Sequence, residues 1–226
     1  MLNSRFENGN KLLFIGDSIT DTSRSRPIGQ TVKTKTGFED STGLGSGFVS
    51  IINSLLISSY PQLNLTLLNL GCNGHRITDL KHRWQRDVLD LKPDWLIILI
   101  GINDVWRQFD RLNDRNQVNI NNFEETYRSI IAESKTDSGQ IVLMSPYYLE
   151  LNLDDPMRIK MDQYSQIVER LSIEYQCPFI NLQKAFDHFL SSRTVESISS
   201  DKIHISKVGH TIIAQSFLKT IESRLP

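Results

Sequence analysis

Cysteine is nearly absent: Cys72 and Cys177 are the only two among 226 residues, and two thiols make no disulfide framework. An excess of charge of either sign is also missing. The formal net charge is −1 at pH 7, from 25 basic and 26 acidic residues, and no Lys/Arg block interleaved with aromatics interrupts that balance, so a nucleic-acid partner is not expected. No apolar run approaches the roughly 20 residues of a membrane span. The first residues, Met1 to Lys11, are polar and lack the apolar core of a signal peptide. A cytoplasmic protein that binds neither membrane nor nucleic acid is the expectation. Internal repeats, low-complexity tracts and linkers are also missing. Self-association into a homo-oligomer is neither required nor excluded.

What the chain does have is an ordinary globular composition, 39% hydrophobic and 23% charged, in a length that suits one domain over residues 1–226. Short apolar runs alternate with stretches at helical spacing. Residues 12–16, 65–70, 95–100, 141–144 and 179–182 read as strands. Helices are expected over about 48–60, 78–91, 123–132, 155–175, 185–190 and 206–224, the fourth with Pro156 in its first turn. Strands that alternate with helices imply a parallel sheet covered on both faces, an α/β fold. The polar stretch from Asp21 to Thr42 is long for a compact domain, and loops of that length are more often functional than idle. Gly43, Gly45 and Gly47 do not follow a strand directly, so they suit close packing at a helix start and not a dinucleotide fingerprint.

Three strand ends carry small polar motifs: Gly16-Asp17-Ser18, Gly71 to His75, and Gly101 to Asp104. In an open parallel sheet such ends converge on one edge, where ligands bind. Asp201-Lys202-Ile203-His204 stands just before the last helix. Acyl transfer needs a nucleophile, a base, a group that orients the base, and donors for the oxyanion. Ser18 can attack, His204 can take its proton, and Asp201 can hold the other ring nitrogen. The N–H groups of Ser18 and Gly74 and the Asn103 amide can bind the oxyanion. Taken alone, Asp17 and Ser18 would serve equally as a helix cap.

These blocks resemble the SGNH hydrolases, also called the GDSL esterase family. Gly-Asp-Ser at Ser18, the loop glycine Gly74, Gly-x-Asn-Asp at Asn103, and Asp-x-x-His at Asp201 and His204 occur in the family's order, over about residues 11–222. The resemblance implies a three-layer α/β/α sandwich, flavodoxin-like, with a five-stranded parallel sheet and neither metal nor cofactor. Where the family often has Ser-Gly-Asn, this chain has Asn73-Gly74-His75. Further stretches are similar to intracellular bacterial acetylxylan esterases: Gly101 to Gln108, Asp155-Pro156-Met157-Arg158 and Met161-Asp162-Gln163-Tyr164. That branch implies deacetylation of acetylated xylo-oligosaccharides, a small-molecule substrate.

Trp106 and Arg107 follow the Asn103 block and should lie on the rim of a cleft, with Trp106 either stacked on a sugar ring or plugging the loop. Tyr147, Tyr148, Arg158 and His75 are further candidates for substrate contact. His210, Trp84 and Trp95 read as structural, His82 and His188 as solvated helix faces, and Asp17 and Asp104 as braces of the strand-end loops. A zinc site from His75, Asp201 and His204 is conceivable by residue type but has no metal-binding spacing behind it. Two other readings remain open: a lysophospholipase or thioesterase with the same centre, and a non-catalytic nucleotide- or flavin-binding module. The second lacks a dinucleotide or P-loop fingerprint.

Overall fold

The computed structural model describes residues 6–26, 32–33, 39–40, 43–111, 116–135 and 139–222. In chain order its elements are β1 (Lys11–Gly16), the single turn α1 (Ser18–Asp21), the short strands β2 (Val32–Lys33) and β3 (Glu39–Asp40), and α2 (Phe48–Ser59). Then come β4 (Thr66–Gly71), α3 (Ile77–His82), β5 (Trp95–Leu99), α4 (Ile102–Asp110), α5 (Ile120–Ser134) and β6 (Gln140–Met144). The chain closes with α6 (Pro156–Glu174), β7 (Phe179–Ile180), α7 (Leu182–Leu190) and α8 (Lys207–Ile221).

Five strands form a parallel sheet in the order β4-β1-β5-β6-β7. Continuous apolar runs make these strands because both faces are buried. Successive side chains point to opposite sides: Leu12 and Phe14 enter one core, Leu13 and Ile15 the other. In β5, Trp95, Ile97 and Leu99 join the first core, Leu96 and Ile98 the second. Helices α2, α7 and α8 close the first core through Phe48, Ile52, Phe186 and Phe217. Helices α3 to α6 close the second through Leu80, Val105, Phe123 and Tyr164. The result is three layers, α/β/α.

The register sets the strand ends level, Gly16 beside Gly71 on one side and Leu99 on the other. Gly16 is required there, because a Cβ would lie 2.2 Å from the Leu99 carbonyl oxygen. Order β4-β1-β5 places the topological switch between β1 and β5, where a crevice opens.

Three local expectations are corrected. The helix expected over 78–91 is broken: α3 ends at His82, and Gln85–Leu89 forms a wider π turn. There Arg83 points inward, 7% exposed. It donates to the carbonyls of Leu70 (2.8 Å) and Gly16 (3.2 Å) and pairs with Asp87 at 2.9 Å. A guanidinium thus ties the ends of β1 and β4 together through their last carbonyls. Helix α4 was not expected, since only Ile102 and Val105 mark its buried side among polar residues. The strand at 179–182 stops at Ile180, because Asn181 caps α7 by accepting from the Lys184 N–H. Of the long polar stretch, residues 27–31, 34–38 and 41–42 lie outside the described residues, as do the last two positions of the helix expected to 224.

Candidate active site

Asp17 ends β1 and caps α1, its carboxylate accepting from the Ile19 N–H at 2.9 Å. The cap turns the chain so that Ser18, half-buried, faces a cleft of about 1170 Å³ at the carboxyl edge of the sheet. Ser18 Oγ stands 3.0 Å from His204 Nε2. On the other side of the ring, His204 Nδ1 lies 2.7 Å from Asp201 Oδ2. The second Asp201 oxygen accepts from the backbone N–H groups of Ile203 (3.0 Å) and His204 (2.8 Å), so one carboxylate shapes the loop and orients the ring together. Burial alone would raise this carboxyl. The bonds from the His204 ring and from the two backbone N–H groups outweigh it and hold Asp201 below the usual carboxylate range. An ionised partner on Nδ1 leaves Nε2 as the acceptor that faces Ser18.

Across the cleft, Gly74 has φ +76°, a left-handed conformation that suits glycine, and nothing lies within 4 Å of where its Cβ would be. Asn103, in the first turn of α4, is 2% exposed, and its Nδ2 donates to the His75 carbonyl at 3.1 Å. Ser18, Gly74, Asn103 and His204 all line the one cleft, although 186 residues separate Ser18 from His204. The arrangement can attack an acyl carbon, pass its proton to an imidazole, and surround an oxyanion with N–H donors.

The model of the GDSL-like lipase/acylhydrolase family matches residues 14–212. The chain belongs to this family. Within it, an acetylxylan esterase of Geobacillus stearothermophilus is 43% identical over 215 residues, 94% of each chain. The crystal structure of Axe2, an acetylxylan esterase from that organism, superposes with a TM-score of 0.89 at 41% identity, covering 96% of both chains. LAE5, an alpha/beta hydrolase enzyme from the metagenome of Lake Arreo, gives a TM-score of 0.89 at 36% identity, over 97% of this chain and 98% of its own. Catalytic mutants of Axe2 replace a serine, an aspartate or a histidine, the last two standing three residues apart. The protein is a GDSL-family hydrolase and a homologue of acetylxylan esterases.

The other residues expected at this family's site divide. Trp106 and Arg107 line the cleft. One indole face of Trp106 is covered by the Arg107 guanidinium, 4.0 Å from the ring centroid. The indole meets the His204 imidazole edge-on, with centroids 6.1 Å apart. Tyr147 does not reach the rim and does not touch the cleft. It is 1% exposed, packed against Phe186, and its hydroxyl donates to the Ile203 carbonyl at 3.0 Å. It therefore pins the loop that carries Asp201 and His204, a role hidden by the adjacent Pro146 and Tyr148. His75 contributes its backbone carbonyl to Asn103, while its ring is absent from the cleft lining and burial lowers its pKa.

Arg158 is also off the rim, 4% exposed and bonded to Asp162 and Asp187 between α6 and α7. Tyr148 is half-buried away from the cleft, its N–H bonded to Gln183. His75, Asp201 and His204 do not gather, and among the described residues no group of three such side chains is placed to hold a metal ion. Asp17 and Asp104 do bond to backbone N–H groups, Ile19 and Ile77 respectively. Sequence reading missed Arg83, Tyr147 as a loop anchor, and the serines 46, 50 and 54 that line the far wall of the cleft. The four-residue spacing of Ser50 and Ser54 on α2 was the available signal for two of the serines.

Proposed function

We propose that the protein is a serine esterase that removes acetyl groups from xylo-oligosaccharides. The observation that carries this reading is the continuous chain from Ser18 Oγ through His204 to Asp201, at 3.0 and 2.7 Å. The same residue types at the same three-residue spacing are catalytic in Axe2. In this reading Ser18 Oγ attacks the ester carbonyl while His204 Nε2 takes its proton and Asp201 stabilises the imidazolium. The oxyanion is bound by the N–H groups of Ser18 and Gly74 and by the Asn103 amide. Collapse breaks the bond to the sugar oxygen, which leaves with the proton from His204. Water, deprotonated by the same imidazole, then frees acetate from the acyl-serine.

The sugar and the short acyl chain are supported by the 43% identity to an acetylxylan esterase. In the cleft Ser46, Ser50 and Ser54 stand beside Ile51 and Leu55, so the chain-length preference is left to experiment. Within the described residues no helix is long and apolar enough to cross a membrane. The reading places the enzyme in the cytoplasm, where it meets short oligosaccharides.

A chain-length series of aryl esters, with acetylated xylo-oligosaccharides beside it, tests the reading. The expected result is a kcat/KM that falls beyond acetyl or propionyl, and stoichiometric labelling of Ser18 by a fluorophosphonate. A groove that welcomed methylenes would gain about 0.8 kcal/mol for each one buried. A rise in kcat/KM up to octanoyl therefore favours a lipid ester or thioester substrate, and a chain inert to the fluorophosphonate is no serine hydrolase.

A further inference from the structure

The Asn103 carboxamide sits between two neighbours, each of which accepts only one end of it. The His75 carbonyl can only accept a hydrogen bond, so it must face Nδ2, and it does at 3.1 Å. The Arg107 guanidinium can only donate, so it must face Oδ1, and its Nη2 stands 3.4 Å away. Amide oxygen and nitrogen look alike in outline, but this pair of neighbours permits one orientation. Nδ2 carries two hydrogens. The His75 carbonyl takes one, and the other remains for an oxygen in the cleft.

Arg107 is itself held from two directions. Its Nη1 makes an ion pair with Asp110, one helical turn later. Its guanidinium carbon stands over the Trp106 indole, 4.0 Å from the centroid. The side chain is 15% exposed, so water competes weakly for its donors. All four residues belong to α4, a rigid support for a site that depends on amide direction.

We propose that Arg107, fixed by Asp110 and Trp106, is the positioning residue that sets the Asn103 amide as an oxyanion donor. Arg107 acts through Asn103 and does not bond the substrate. Without it the amide loses the partner on its oxygen and keeps only the His75 carbonyl to direct it. An amide that swings, or turns its oxygen toward the developing negative charge, stabilises the transition state less while leaving ground-state binding alone. The inference rests on the serine-esterase reading above.

The test is a double-mutant cycle on an aryl acetate, with kcat and KM for the wild type, R107M, N103A and the double variant. Fluorophosphonate labelling rates are measured beside them, since the phosphonyl oxygen uses the same donors. We expect R107M to lower kcat about ten- to a hundredfold, the scale of a small misplacement in a catalytic site. KM should change by less than about twofold, and the labelling rate should fall with kcat. In the N103A background R107M should add no more than about twofold, because its target is gone. R107K, which keeps the charge but loses the planar fork, should recover only part of kcat. D110N should weaken kcat in the same direction, and it carries the same cycle if R107M does not fold. Losses that multiply in the double variant overturn the proposal, as does an effect confined to KM, which would make Arg107 a substrate contact. A wild type inert to both ester and fluorophosphonate removes the esterase reading and this inference together. An active wild type with multiplicative losses removes this inference alone.

Discussion

Asp201 and Asp104 are the same residue type at the same edge of the sheet, and their surroundings treat them in opposite ways. The Asp201 side chain is 40% exposed and accepts from an imidazole and two backbone N–H groups, which keep it ionised. Asp104 is fully buried and accepts from the Ile77 N–H, with no imidazole or other side chain on it among the described residues. Burial pushes its pKa up to about 8, the Ile77 bond opposes the rise, and the nearby Asp17 charge adds to it. Asp17 is pushed up by burial to about 7, against the Ile19 bond and the attraction of His204. A carboxylate that must stabilise a cation needs donors enough to keep it ionised. A carboxyl that only joins two loops serves as well when neutral. The contrast separates a candidate catalytic aspartate from two structural ones better than sequence position does, since Asp17 and Asp104 each adjoin a proposed site residue.

The largest expected effect tests the exposed side of this contrast. Ser18→Ala should abolish turnover, on the order of 10⁶-fold in kcat as for other nucleophile deletions. The loss of one half-buried hydroxyl should leave the melting temperature within a few degrees of the wild type. Substantial residual esterase activity in that variant would remove Ser18 as the nucleophile.

Next is Asp201→Asn, which retains shape but supplies no charge and an amide where Nδ1–H needs an acceptor. A loss of roughly 10⁴-fold in kcat is expected. Asp104→Asn, assayed in parallel at pH 7, should stay within a few-fold of the wild type, because the native carboxyl is already largely protonated there. Equal losses in the two variants would break the comparison.

Asn103→Ala comes third, with kcat down about 10²- to 10³-fold and KM little changed, as for the loss of one oxyanion donor. A change confined to KM would move Asn103 from transition-state stabilisation to ground-state binding.

The smallest effect concerns stability. Asp17 and Asp104 have folded-state pKa values above the unfolded value of 3.8. These two carboxyls hold extra protons in the folded chain between pH 4 and 7 or 8, so they make stability fall as pH rises through that window. Buried His210, held down to about 4, and His75 act in the opposite sense below about pH 6.5, so the fall should be clearest from about pH 6.5 to 8. Urea midpoints from pH 4 to 9 should show this slope in the wild type and a flatter one in Asp104→Asn. An unchanged slope in the variant would mean that the Asp104 carboxyl is ionised in the folded state.

The strands were legible because runs such as residues 12–16 and 95–100 must be apolar throughout when both faces of a sheet are covered. The order of the polar blocks placed Ser18, Gly74, Asn103 and His204 together, because parallel strands deliver all their carboxyl ends to one edge. Asp201 and His204 lie within one turn of chain, so their contact is local and can be read from spacing.

Side-chain direction in the loops was not legible. Tyr147 and Tyr148 are neighbours after Pro146, yet one is buried under the Asp201–His204 loop and the other is half-exposed. No periodicity in a short extended segment says which of two adjacent tyrosines faces the core. Arg158 reads as a candidate for the rim and Arg83 is not singled out by the sequence, since arginine is rarely buried; each is buried because carbonyls and carboxylates meet it in the fold. The Asn103 amide shows the division most clearly. Its presence after β5 is a property of the sequence, whereas its orientation depends on a carbonyl 28 residues earlier and a guanidinium four residues later. Hydrogen-bond direction is set by which partners the fold brings within 3.5 Å, a long-range outcome that local propensity does not encode.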